Sequence, residues 1–120
     1  YEGLKTYEDY FILPQSTPNS DPSWFGFFIT IRDNIAFNRN ELVEYLESKN
    51  IQTRNVFAGN IVRHPCFDTL ENGKDYRMVG ELKHTDKIMN DSFWLGVYPG
   101  FNEEKNTYML KCIHQFLKGQ

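Results

Sequence analysis

The chain has 120 residues, enough for one domain with a buried core. Thirteen Lys and Arg against sixteen Asp and Glu leave a formal charge of −3, which opposes general nucleic-acid binding, where clustered positive charge is needed. A hydrophobic content of 40% with 16% aromatics excludes a disordered tail, no apolar run is long enough to span a membrane, and Cys66 and Cys112 are too few to frame a disulfide-rich secreted domain.

Tyr1 to Leu13 is rich in aromatic and acidic residues. Leu4, Tyr7, Tyr10 and Phe11 follow weak helical spacing, and Pro14 ends the segment. Gln15 to Ser23 reads as a linker, with Ser16, Pro18, Asn19, Asp21 and Pro22 as turn formers. A helix running into a stiff connector, in a chain that starts at Tyr1 and not at Met, is expected of a piece of a longer protein. Trp24 to Arg32 is the clearest strand. Phe25, Phe27, Ile29 and Ile31 alternate onto one face, and Trp24, Gly26, Phe28, Thr30 and Arg32 onto the other.

Asn38 is placed to cap a helix, with Glu41 completing a capping box and Leu42, Val43 and Leu46 as its buried stripe. That helix ends near Asn50, and Ile51 to Phe57 is a second strand broken by Gly59 and Asn60. Cys66 to Gly80 is loop-like, with a turn at Asn72-Gly73. His84 to Asn90 predicts a short helix, and Phe93 to Tyr98 an alternating strand with Phe93, Leu95 and Val97 on one face. Asn102 caps a last helix, with Glu103 and Glu104 in the first turn complementing the dipole and Met109, Leu110, Ile113, Phe116 and Leu117 as its core stripe. The order predicts an α+β fold: a small, mainly antiparallel sheet with helices packed on one face.

Arg54, Asn60, Arg63 and His64 gather at the end of a strand and in the loop after it, where binding groups collect. Two guanidinium groups can grip a phosphate or diphosphate, and Asn60 can bond a sugar hydroxyl. The plainer alternative, which spacing alone favours, is solvated loop residues paired with Asp68 or Glu71. His64 and Cys66 lack the second ligand pair of a zinc site, and nothing visible orients His64 as the base for a Cys66 nucleophile. Cys112 lies among core positions and reads as a small buried hydrophobe. Trp24 and Phe28 raise the idea of an aromatic sheet face stacking RNA bases, but the net charge opposes it and no basic aromatic signature accompanies them.

Longer stretches carry a resemblance. Pro22-Ser-Trp-Phe-Gly-Phe28, Phe37-Asn-Arg-Asn-Glu-Leu42, Thr53-Arg54 to Phe57, Gly59-Asn60 with Arg63, Thr85-Asp-Lys-Ile-Met-Asn-Asp91 and Phe93-Trp-Leu-Gly-Val-Tyr-Pro-Gly100 resemble the C-terminal part of the DegT/DnrJ/EryC1/StrS aminotransferase-like enzymes. Tyr7-Glu-Asp-Tyr-Phe-Ile-Leu-Pro14 fits the connector of the same family. Within it the segments are most similar to the CDP-4-keto-6-deoxy-D-glucose 3-dehydrases of lipopolysaccharide biosynthesis. The resemblance implies the small domain of a fold type I pyridoxal-phosphate enzyme, residues 1–21 being the end of a connecting helix and linker and residues 22–120 the small domain itself.

It further implies a pyridoxamine or pyridoxal phosphate cofactor and a 2Fe–2S cluster, both held by a large domain outside this chain, and a His in place of the Schiff-base Lys. A CDP-linked 4-keto-6-deoxy sugar as substrate, a reductase partner, a homodimer and a cytoplasmic location are implied as well. The chain alone is then expected to be inactive, with no catalytic residue and no metal of its own. Members that transfer amino groups carry a Pro-x-His-x-Gln-like loop where Ala58-Gly-Asn-Ile-Val-Arg-His-Pro65 stands, and this version resembles that of the dehydrases. By this resemblance Asn60 and Arg63 face the substrate and Arg54 supports them, while His64 stands where close relatives carry Gln. Asn90 and Trp94 shape the same cleft or frame the core. The remaining alternatives are the equivalent domain of a nucleotide-sugar aminotransferase and a non-enzymatic α+β binding module. Trp24, Phe28, Phe11 and Trp94 are the rings expected to be exposed when the domain stands alone.

Overall fold

The computed structural model describes residues 1–120. Its elements in chain order are α1 (Glu2–Lys5), β1 (Phe11–Ile12), β2 (Gly26–Ile31), α2 (Arg39–Ser48), β3 (Thr53–Asn55), α3 (Lys83–Asp91), β4 (Ser92–Gly96) and α4 (Glu103–Lys118), with 3₁₀ turns at Ile61–Arg63 and Pro65–Phe67. The strands form one antiparallel sheet in the order β1-β2-β4-β3. The α+β expectation holds.

Register sorts the side chains. Phe27 opposes Leu95 and Ile29 opposes Phe93, so these four share a face. On that face Ile29, Ile31, Phe93 and Leu95 are buried with Leu42 and Leu46 of α2 and Cys112, Ile113, Phe116 and Leu117 of α4. The two long helices thus cover one side. The opposite face carries Phe28 against Trp94 and Thr30 against Ser92. The short α3 adds cover there, with Lys87 and Ile88 beside Phe28 and Thr30. Under it the Thr30 and Ser92 hydroxyls bond each other at 2.7 Å, so neither buried group lacks a partner.

Local chemistry sets the helix ends. The Asn38 carboxamide accepts from the Asn40 and Glu41 amides, and Glu41 accepts from the Asn38 amide, a complete capping box. At the other end of α2, Asn50 takes φ of +60°, and the amides of Asn50 and Ile51 donate to the carbonyls of Glu47 and Leu46, a Schellman closure. Asn102 caps α4 through Lys105 N–H.

Five expectations are corrected. Helix in the first segment stops at Lys5, because Phe11 and Ile12 pair with Ile31 and Thr30 as a sheet edge and the Phe11 ring is core, not exposed. Leu4, Phe11 and Leu13 join the same core as the later elements. Phe25 precedes β2, escapes its alternation and is 80% exposed. The second strand is only Thr53–Asn55, and Val97 lies beyond the end of β4 and is exposed.

Candidate functional site

The loop after β3 is built from its backbone upward. Gly59 takes φ of +61° with the Met89 side chain of α3 directly behind it, where any Cβ would collide. The Asn60 amide then meets Met89 Sδ at 3.3 Å, and the chain tightens into the 3₁₀ turn Ile61–Arg63. The His64 ring turns back and bonds the Ala58 carbonyl through Nε2 at 2.5 Å. A carbonyl only accepts, so Nε2 carries the proton. His64 therefore closes the loop on itself.

Asp86, in the first turn of α3, collects this loop. Its Oδ1 accepts from Asn60 Nδ2 at 2.6 Å and from Arg63 Nε at 3.2 Å, and its Oδ2 accepts from Arg63 Nη2 at 2.9 Å. The Arg63 bond is thus side-on and bidentate. Hydrogen bonds from Arg63 and then Asn60 hold the Asp86 carboxyl below the ordinary carboxylate range. Asn60 is only 2% exposed, whereas the Arg63 side chain is 52% exposed. A guanidinium has five N–H donors, two of which serve Asp86, so three remain directed away from it.

Two further cations frame α3. Lys87 Nζ donates to the Ile31 carbonyl at 3.0 Å, Asp33 at 2.7 Å and Asp91 at 3.1 Å, which uses all its hydrogens. Arg39 Nη1 reaches Asn55 Oδ1 and the Met89 and Ser92 carbonyls at 3.2–3.4 Å, tying α2, β3 and the α3–β4 junction together. The helix bearing Asp86 is therefore pinned at the sheet.

Of the four candidate residues, the structure joins Asn60 and Arg63 through Asp86 and puts His64 in the same loop. Arg54 lies apart: it is opposite Trp94 on the sheet, and its Nη1 bonds the Thr53 carbonyl at 3.0 Å. Trp94 is a hub on that face, with Phe28, Phe25 and Phe57 rings at 5.2, 5.7 and 6.2 Å. The carboxylate partner of Arg63 is neither Asp68 nor Glu71. Thr85 to Asp91 carries part of the family resemblance, but nothing along the sequence assigns Asp86 a role, since only the packing of α3 brings it to the loop. Arg39 and Met89 were missed for the same reason.

The donor set bears on the expected cofactors. Cys66 is exposed on a 3₁₀ turn and Cys112 is buried in α4, so they do not form the four-thiolate set of a 2Fe–2S cluster. No three His, Cys, Asp or Glu side chains converge as metal ligands.

The arrangement is an α+β one: an antiparallel sheet backed by two long helices, with a cation presented on a braced loop. The chain belongs to the DegT/DnrJ/EryC1/StrS aminotransferase family, whose model matches residues 2–114. It is 44% identical over 115 residues to the lipopolysaccharide biosynthesis protein RfbH of Salmonella typhimurium, covering 96% of this chain and 25% of that protein. It is 45% identical over 106 residues to a dTDP-4-dehydro-2,6-dideoxy-D-glucose 3-dehydratase of Saccharopolyspora spinosa, covering 88% of this chain and 22% of that one. The chain therefore spans about a quarter of the length of these relatives. Among solved structures, E. coli GDP-4-keto-6-deoxy-D-mannose-3-dehydratase with bound hydrated PLP shares the fold at a TM-score of 0.73 and 23% identity, over 92% of this chain and 28% of that chain. No helix is long and apolar enough to cross a membrane.

Proposed function

We propose that this chain is the substrate-side part of a pyridoxamine- or pyridoxal-phosphate-dependent nucleotide-sugar 3-dehydrase, acting in deoxysugar synthesis for lipopolysaccharide on a CDP-linked 4-keto-6-deoxy sugar. Residues 1–21 lead in from the cofactor-binding part and residues 22–120 form the small domain, with Leu4, Phe11 and Leu13 anchoring the lead-in to its core. The cofactor, held by residues outside this chain, supplies an electron sink for loss of the C3 hydroxyl. This chain's residues bind and orient. Arg63 offers its free N–H groups to the diphosphate, Asn60 and His64 hold the loop that presents it, and Arg54 adds positive charge on the neighbouring sheet face. The chain alone is inactive. The whole enzyme is a cytoplasmic homodimer supplied with electrons by a reductase through a 2Fe–2S cluster outside this chain.

The observation that carries this reading is the half-exposed Arg63 guanidinium, held from behind and open in front. Among the relatives, the two that share 44–45% identity favour the dehydrase over the aminotransferase of the same family, since one is named a 3-dehydratase. The test is Arg63→Ala in the full-length enzyme. Loss of charge-assisted hydrogen bonds should raise KM for the nucleotide sugar about 10–100-fold with a smaller effect on kcat. An unchanged KM removes Arg63 from the site.

A further inference from the structure

Arg63 is a long side chain on a short turn, and left alone such a group samples many rotamers and loses that freedom on binding. Here it does not stand alone. The Asp86 carboxylate grips Nε and Nη2 side-on and takes Asn60 Nδ2 on the same oxygen. The grip comes from a helix that does not drift, because the next residue, Lys87, is bonded to the end of β2, to Asp33 and to Asp91. Met89, one turn on, fills the space behind Gly59. Loop and helix are therefore matched at two residues of α3, Asp86 and Met89, and the guanidinium plane is set by the Asp86 carboxylate.

We propose that Asp86 is a positioning residue: it fixes the Arg63 guanidinium so that the three remaining N–H groups meet an anionic oxygen cluster, such as a diphosphate, without reordering. The proposal rests on the reading of Arg63 given above. A rival account makes the same ion pair a latch, in which Asp86 competes with the ligand for Arg63. The two accounts give opposite signs. Removing the Asp86 charge lowers repulsion of an anion, and a latch would also be released, so either effect strengthens binding. Loss of the held geometry weakens it.

The experiment is calorimetric titration of the full-length enzyme with CDP at about 0.15 M salt, where exposed charges farther apart than about 8 Å are screened. The proteins are wild type, Asp86→Asn, Arg63→Ala and the double variant. Asp86→Asn should weaken CDP binding about 3–10-fold, the equivalent of freeing one rotamer-rich side chain. In the Arg63→Ala background the same change should cause no further loss. Equal losses in both backgrounds would mean that Asp86 only supports the fold, and unchanged or tighter binding by Asp86→Asn would favour the latch; each overturns the proposal while leaving Arg63 in the site. If Arg63→Ala itself binds CDP as wild type does, the reading of Arg63 fails first. Should Asp86→Asn not fold, Asp86→Glu keeps the charge and displaces the carboxylate by one methylene, and weaker binding is expected from it too, with wild-type affinity counting against the proposal.

Discussion

Asp86 does two jobs with one carboxylate, and both depend on its charge. Protonation removes an acceptor from the bidentate pair and weakens the bond from Asn60 Nδ2. Because the folded-state value is lowered, the charged form is the one that folding favours. The stabilisation is fully present above the ordinary aspartate value of about 3.9 and is lost as pH falls through the lower folded value. We therefore expect the Asn60 side-chain amide resonances of the full-length enzyme to hold their positions between about pH 7 and pH 4 and to collapse only in stronger acid. Loss of those signals well above pH 4 would contradict the pairing. Glu47 follows the same sign, since the Thr53 backbone amide and then its hydroxyl lower its value, at 2.6 and 2.8 Å.

Among the elements, α2 is the one whose two ends are both specified by local chemistry. The capping box at Asn38 and the left-handed Asn50 close it, so its ten residues keep Leu42 and Leu46 on the core. Arg39, its first residue, is also the bolt between β3 and the α3–β4 junction. Asn38→Ala should cost about 1 kcal/mol, a fall of about 4 °C in the thermal midpoint followed by circular dichroism. An unchanged midpoint would show the box idle. By contrast α3 lacks a side-chain cap and depends on Lys87 and on what it packs against.

The whole molecule is more open than its length requires. Its radius of gyration is 16.8 Å, against about 14 Å for a compact chain of this size, and 19 of its 120 residues are buried. Phe57 at 82% and Phe25 at 80% exposure sit on either side of Trp94, so the uncovered sheet face is aromatic. The 120-residue chain expressed alone should form dimers or larger species, and Phe25→Ser with Phe57→Ser should reduce them. A monomer at high concentration in sedimentation velocity would count against this. Of the four rings expected to be exposed, Phe28 and Trp94 are half-buried on this face, Trp24 is exposed beside Phe27 on the other side of the sheet, and Phe11 is core.

Nearest-neighbour chemistry was readable without coordinates. Caps at Asn38 and Asn102 act within three residues, and the alternation of Ile29 with Ile31 and of Phe93 with Leu95 needs only the pleat of a strand. The family segments were legible for a similar reason, as short runs in a set order. What no local rule contains is contact between distant segments: Asp86 meeting Arg63 across 23 positions, Met89 closing the space behind Gly59, and Phe11 leaving a helical pattern to become a sheet edge. Those pairings arise when α3 docks on the sheet and β1 finds β2. Docking follows from the shape and burial of the whole chain, which the spacing of residues along it does not encode.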